Sequence, residues 1–254
     1  MMKKVIIAGI TGSMGQQAAQ LVMKQSDCQL VAALAPHAQK LTNLPADVQI
    51  FEKLADVDIA ADIWIDFTTP QAVFENTKYA LEHQIRPIIG TSGLKDSQIE
   101  QLQALANKQH IGGLIAPNFG LSAVLLMKFA QEAAKYFPDA EVIEMHHQDK
   151  IDAPSATAIK TAQLIAQSRL KQPLTKDNSN EVAARGTDYQ GVKVHSVRLL
   201  GYLAHEQVLF GGPGEALTIR QDSFDRSSFM QGVQVALDRV LDLSELVVGL
   251  EKIL

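Results

Sequence analysis

Cysteine, basic charge and long apolar runs are what this sequence has least of. Its 254 residues hold one cysteine, Cys28, so no internal disulfide can form and a reducing, cytoplasmic setting is expected. Acidic residues outnumber basic ones, 28 to 23, for a formal net charge of -5. Without a basic excess the chain cannot neutralise many phosphates, which argues against nucleic acid as a partner; a local basic cluster could still bind a small anion. No stretch approaches the roughly 18 apolar residues of a membrane span. The opening MMKKVIIAGI has an apolar run too short for a signal-peptide core, and no small-residue cleavage site follows it. Internal repeats and low-complexity tracts are absent. So are the C-x-x-C and H-x-x-x-H spacings, and no metal site is expected. What remains is an ordinary globular composition, 46% hydrophobic and 20% charged, long enough for one large domain or two modest ones.

In the first half of the chain, short apolar runs alternate with amphipathic ones. Lys3 to Ile10 reads as a buried parallel strand and Gln16 to Lys24 as a helix. Gln29 to Ala35, Ile63 to Thr68, Pro87 to Thr91 and Ile111 to Ala116 read as further strands. Helices are expected from Pro70, and over Asp96 to Lys108. This alternation predicts an α/β domain with a parallel sheet and helices on both faces. Right-handed crossovers then put every strand's carboxyl end on one edge, where ligands bind. The pattern changes after Pro117. Ser122 to Phe137 and Ser155 to Arg169 read as helices, and Ala140 to His147 as a strand. The polar stretch Leu170 to Gly191 reads as a long loop. Strand-like runs follow at Val192 to Leu200, His205 to Phe210 and Ala216 to Gln221, before an amphipathic helix over Arg226 to Leu241. The second half therefore predicts an α+β domain with a mixed or antiparallel sheet.

The segment AGITGSMGQQ places Gly9, Gly12 and Gly15 between the first strand and the first helix. Glycines there let the backbone turn sharply and approach a pyrophosphate seated on the helix N-terminus, with Ser13 and Met14 of the same loop expected to contact the cofactor. A tight strand-to-helix turn without a ligand is the alternative. The second strand ends LAPHAQK, without the acidic residue that usually holds the adenosine ribose. NADPH should then be tolerated, and His37 and Lys40 either attract its 2′-phosphate or are solvated surface residues. We expect NADPH, with NADH accepted. Two further strand ends carry small polar groups, Asp66-Phe67-Thr68-Thr69-Pro70 and Gly90-Thr91-Ser92-Gly93. They serve either as helix caps or, through Phe67, Thr68, Gly90, Thr91 and Ser92, as cofactor contacts.

The stretch EMHHQDKIDAPSATA, Glu144 to Ala158, gathers two histidines and a lysine ahead of a helix start. On a strand the adjacent His146 and His147 point to opposite faces, so they do not form a metal pair. Lys150 comes near one of them if the chain curls back. The Pro154-Ser155-Ala156-Thr157 step offers N–H groups and hydroxyls to a carboxylate or phosphate. A small acidic substrate that needs a proton would fit; an exposed strand end and a plain capped helix is the alternative.

These blocks, with APNFG (Ala116 to Gly120), Arg185-Gly186, HSVRLLGYLAHEQVLFGG and TIRQDSFDRSSFMQGV, resemble the 4-hydroxy-tetrahydrodipicolinate reductase (dihydrodipicolinate reductase) family over nearly the whole length. The resemblance implies a Rossmann-like nicotinamide-binding domain from residues 1–117 and 227–254. It implies a substrate-binding and tetramer-forming α+β domain with a mixed sheet from residues 118–226. It implies an oxidoreductase of lysine and diaminopimelate synthesis that reduces a cyclic, unsaturated dicarboxylate with hydride from NAD(P)H. His146 would be the proton donor and Lys150 its partner, by donation or by charge alone. His147 would bind one carboxylate, and Ser155, Ala156 and Thr157 the other. Gly90, Thr91 and the Ala116-Pro117-Asn118-Phe119 step would line the cofactor site. The family pattern reads D-A-P-S-G-T, and this chain has Ala156 where glycine is usual. A positive φ there would strain alanine by about 1 kcal/mol; an ordinary helical φ would add only a methyl group near the carboxylate. Arg198 and Arg220 could pair with carboxylates, structurally or otherwise. The alternatives are another aspartate-pathway NAD(P)-dependent dehydrogenase, which would not need the His-His…Lys segment, and a non-catalytic NAD(P)H sensor.

Overall fold

The computed structural model describes residues 2–36, 44–174 and 182–254, with only the backbone of Val182 and Ala183. Twelve strands occur among the described residues: β1 (Lys3–Ala8), β2 (Cys28–Leu34), β3 (Gln49–Phe51), β4 (Ile63–Asp66), β5 (Arg86–Ile89), β6 (Gly113–Ile115), β7 (Asp139–His146), β8 (Thr187–Tyr189), β9 (Val192–Arg198), β10 (Ala204–Gly212), β11 (Glu215–Ser223) and β12 (Leu246–Val248). The α-helices are α1 (Ser13–Lys24), α2 (Val73–Glu82), α3 (Asp96–Gln109), α4 (Leu121–Ala134), α5 (Ala156–Ser168) and α6 (Ser228–Arg239). They fall into two compact units, Met1–Phe119 with Phe229–Leu254, and Gly120–Ser228.

The first unit is a seven-stranded sheet in the order β12-β6-β5-β4-β1-β2-β3. Every pairing in it is parallel. Parallel strands are covered on both faces, which explains why β1 reads as an unbroken apolar run: Val5, Ile6, Ile7 and Ala8 are all fully buried. From β1 the chain winds one way through β2 and β3, and the other way through β4, β5 and β6. Its direction reverses between β1 and β4, the crevice where such sheets bind ligands. The core packs Trp64, Leu81, Ile89, Leu102 and Ile111 around Ile6 and Ala32. α6 belongs to this unit from Phe229 onward: the Lys3 ammonium donates to the Leu237 carbonyl at 3.3 Å, and β12 pairs with β6.

Two helices begin where the sequence pattern does not place them. α1 starts at Ser13 rather than Gln16, because Gly12 serves as its N-cap and Gly15 lies inside the first turn. α2 starts at Val73 rather than Pro70, since the amides of Ala72 and Val73 first close a turn onto the Thr69 carbonyl. Strands β3, β8 and β12 are additions to the expected set. Each has three residues, too few to establish a period, and β8 lies within the stretch read as loop.

The second unit is a five-stranded mixed sheet, β11-β10-β7-β9-β8, in which β7 and β9 alone run parallel. Period-two alternation sends Ala140, Val142 and Glu144 of β7 to one buried face. There Val142, Val192, Val194, Val208 and Phe210 pack with Leu126, Ala130 and Ala134 of α4 and with Ala158, Ala162 and Ile165 of α5. The run of alanines lets the two helices lie close over the sheet. The buried polar residues on that face include Glu144, Glu206, Gln221 and Ser223. Among the described residues no helix is long and apolar enough to cross a membrane.

Candidate active site

The first part of the site is built at the carboxyl edge of the parallel sheet. Just past the strands, Gly9, Phe67, Gly90 and Ala116 continue the pairing by one residue each. Their amides donate to Leu34, Ala8, Asp66 and Ile89 respectively, at 2.8–3.0 Å, so the four loops leave the sheet side by side. Gly9 has φ +82, and a Cβ there would overlap the Phe67 carbonyl. A Cβ on Gly15 would overlap the Gly9 carbonyl, so glycine lets α1 settle directly on the end of β1. No side chain caps α1 at Gly12, which leaves its first-turn N–H groups to an anion. A Cβ on Gly90 would strike the rings of Phe67 and Phe119, which meet edge to face at 5.8 Å.

Asp66 ties two of these loops together. Its buried carboxylate accepts the Thr68 and Thr91 hydroxyls at 2.6 Å each, the Thr68 amide at 3.1 Å, Asn76 Nδ2 at 2.9 Å and Trp64 Nε1 at 3.3 Å. Thr91 Oγ1 in turn accepts the Thr68 amide at 2.7 Å. The two threonine hydroxyls are thus engaged with Asp66, and the loops offer a ligand mainly backbone. A glycine cradle, an uncapped helix start and an aromatic wall fit a dinucleotide. The described end of β2, Ala35 and Pro36, carries no carboxylate; His37 and Lys40 lie outside the described residues.

The second part lies at the carboxyl end of β7. Glu144 is fully buried and accepts both Arg198 Nη groups at 2.8 Å, one on each oxygen. It also accepts His146 Nδ1 at 2.5 Å and the Ser155 amide at 3.2 Å. Burial alone would raise the Glu144 pKa, but hydrogen bonds from His146, Arg198 and Ser196 outweigh it and hold it at about 2. Arg198 reaches further, to the carbonyls of Lys150 at 3.3 Å, Asp152 at 2.5 Å and Val197 at 2.8 Å. The Lys150 amide donates to the His147 carbonyl at 3.1 Å, closing the turn after the strand. The Lys150 ammonium pairs with Asp152 at 2.6 Å and holds the Asp152 carboxyl below its ordinary range.

A cis peptide joins Ala153 to Pro154, and α5 then opens. The Ser155 hydroxyl caps it by accepting the Ala158 amide at 3.2 Å. Ser155 is buried, Thr157 half-buried and Ala156 exposed. Ala156 sits in ordinary helix and is not among the residues with positive φ, so its methyl group replaces the family's glycine without backbone strain. His146, His147, Lys150 and Ser155–Thr157 thus lie on one continuous segment. Two residues were not assigned from sequence, Glu144 and Arg198. The first stands within the quoted motif. The second is opposite His146 in the parallel β7–β9 register, a placement no local pattern discloses. Among the described residues no group of three His, Cys, Asp or Glu side chains could hold a metal ion.

Family models described as "Dihydrodipicolinate reductase, N-terminus" and "Dihydrodipicolinate reductase, C-terminus" match residues 3–119 and 122–254. The 4-hydroxy-tetrahydrodipicolinate reductase of Lactobacillus helveticus is 60% identical over 259 residues, covering 100% of this chain and 99% of the relative. That of Limosilactobacillus fermentum is 57% identical, covering 100% of both. The solved structure of a dipicolinate-bound dihydrodipicolinate reductase from Paenisporosarcina sp. TG-14 is 46% identical with a TM-score of 0.92, over 100% of both chains. A probable dehydrogenase from Thermotoga maritima, at 10% identity and a TM-score of 0.68, shares the fold over 98% of this chain and 92% of its own.

Proposed function

We propose a role for each part of the site from one premise: the chain belongs to the dihydrodipicolinate reductase family. It reduces 4-hydroxy-tetrahydrodipicolinate to tetrahydrodipicolinate with NAD(P)H, in lysine and diaminopimelate biosynthesis. The balance is one hydride and one proton in, and the substrate's hydroxyl out as water with NAD(P)⁺. NAD(P)H, when bound, supplies the hydride. Gly9, Gly12, Ser13, Met14 and Gly15 hold its pyrophosphate. Phe67, Thr68, Gly90, Thr91, Ser92 and Ala116–Phe119 line the rest of its site. NADPH is the preferred form and NADH is accepted; a strand β2 that ends without a carboxylate supports this, because nothing there repels a 2′-phosphate.

The substrate is a dianion, and the segment after β7 supplies groups of opposite charge. His147 binds one carboxylate. The start of α5, with Ser155, Ala156 and Thr157, binds the other. Hydride addition to a conjugated imine leaves an electron-rich enamine; the Lys150 ammonium stabilises that charge, and His146 delivers the proton from Nε2. The coincidence in one chain of the glycine cradle after β1 and the His146–Lys150–Ser155 segment after β7 carries this reading. Assembly into a homotetramer through the second unit's sheet belongs to the same family reading, and the buried Cys28, free of any disulfide, is in keeping with a cytoplasmic location.

The test is a coupled assay that generates the cyclic substrate enzymatically and follows NADPH and NADH separately. His146→Gln and Lys150→Ala are each expected to lower kcat about 100-fold or more while retaining cofactor binding. Full activity in both variants, or cofactor binding without any turnover by the parent, would refute the reading.

A further inference from the structure

We propose that Glu144, held by Arg198, is a positioning residue that fixes the ring of His146 with Nδ1 protonated, leaving Nε2 as the nitrogen that exchanges a proton with the substrate. The inference rests on the reading of His146 as proton donor and deepens it.

Three observations carry it. Glu144 is fully buried, and a buried carboxylate must be paired to be tolerated. It is paired on both oxygens, by Arg198 at 2.8 Å twice and by His146 Nδ1 at 2.5 Å. An ionised carboxylate only accepts hydrogen bonds, so the imidazole nitrogen facing it must be the donor. The Glu144 pKa of about 2 keeps it an acceptor throughout the working range. Once the proton leaves Nε2 for the substrate carbon, the electron pair stays on the ring. The neutral imidazole that remains already carries its hydrogen on Nδ1, so no tautomer exchange is needed before Nε2 is reprotonated from solvent.

The main chain is fixed by the same pair. His146 stands opposite Arg198 in the parallel register, and its carbonyl accepts the Leu199 amide at 3.0 Å. Because Arg198 also binds the carbonyls of Lys150 and Asp152, one guanidinium sets the ring through Glu144 and the turn that carries Lys150. Ser155, bonded to the other Glu144 oxygen from its own amide, links the start of α5 to the same carboxylate.

The experiment has a spectroscopic arm and a kinetic one. Nitrogen-15 histidine spectra of the parent, with the His146 signals assigned by difference from His146→Gln, should show the neutral ring protonated on Nδ1. In Glu144→Gln that preference should be lost. Kinetically, Glu144→Gln should lower kcat about 10- to 100-fold with the KM for NADPH unchanged, and Glu144→Asp should recover much of the loss. Added to His146→Gln, the Glu144→Gln change should lower kcat by less than about threefold, because residues acting as a unit are not additive. Independent, multiplying effects, or a parent His146 protonated on Nε2, would overturn the inference while leaving the proton-donor reading intact. A fully active His146→Gln would overturn both. If Glu144→Gln does not fold, Glu144→Asp and the parent spectrum decide.

Discussion

Glu206→Gln is expected to remove a pH dependence from the folding stability of this protein. Glu206 is the third residue of β10, 2% exposed, opposite Glu144 of β7 and Gln221 of β11. Its Oε1 has no hydrogen-bond partner among the described residues. Burial pushes its pKa from 4.5 up to about 7; a hydrogen bond from Thr161 works against the rise and the Glu144 charge adds to it. In the unfolded chain the group titrates near its ordinary value, so between pH 4.5 and 7 the unfolded state gives up a proton that the folded state keeps. Stability from this group is therefore fully present below the unfolded pKa and is lost as pH rises through 7. At about 1.4 kcal/mol per unit, the whole shift is worth on the order of 3 kcal/mol, of which about 2.5 kcal/mol falls between pH 5 and pH 8. Glutamine has nearly the same shape and cannot ionise. Urea unfolding of parent and variant at equal protomer concentration, at pH 5 and at pH 8, checks the reasoning. The variant's stability relative to the parent should rise by about 2.5 kcal/mol across that interval. A difference that stays constant within about 0.5 kcal/mol would mean that Glu206 is ionised, or solvated, in the fold.

Two more outcomes follow from backbone geometry. Gly9→Ala should cost about 1 kcal/mol or more from the positive φ alone and weaken NAD(P)H binding at least tenfold, read by cofactor fluorescence; parent-like affinity would remove the cradle from the cofactor site. Ala156→Gly should lower the melting temperature slightly, since glycine costs up to about 1 kcal/mol in a helix and there is no strain to relieve. A higher melting temperature would mean that alanine is strained there.

The alternation of apolar and amphipathic runs made the parallel sheet legible, because buried parallel strands write their burial directly into composition, as Val5 to Ala8 do. The glycine spacing was legible for a similar reason: a missing Cβ at Gly9 and Gly15 answers to contacts only a few residues away or one strand across. Register was not legible. Arg198 is 54 positions from Glu144, and only the parallel pairing of β7 with β9 brings it there; a local pattern around Arg198 cannot tell a solvated arginine from a buried clamp. The partner of Thr68 and Thr91 was equally hidden: Asp66, buried at the carboxyl end of β4, accepts both hydroxyls, a link between two loops that residue type alone does not disclose. The short strands escaped because three residues such as Gln49–Phe51 hold too little alternation to be separated from loop.

The return of α6 and β12 to the first sheet sets the order in which this molecule can be completed as it is synthesised. Gly232 rests on the Phe119 carbonyl and β12 zips onto β6, so the edge beyond β6 stays open while more than a hundred intervening residues are translated. The segment from Gly120 to Ser228 emerges whole and can settle first. A chain ending at Ser228 and released from the ribosome should therefore protect the mixed sheet against protease while leaving the nucleotide half open to attack.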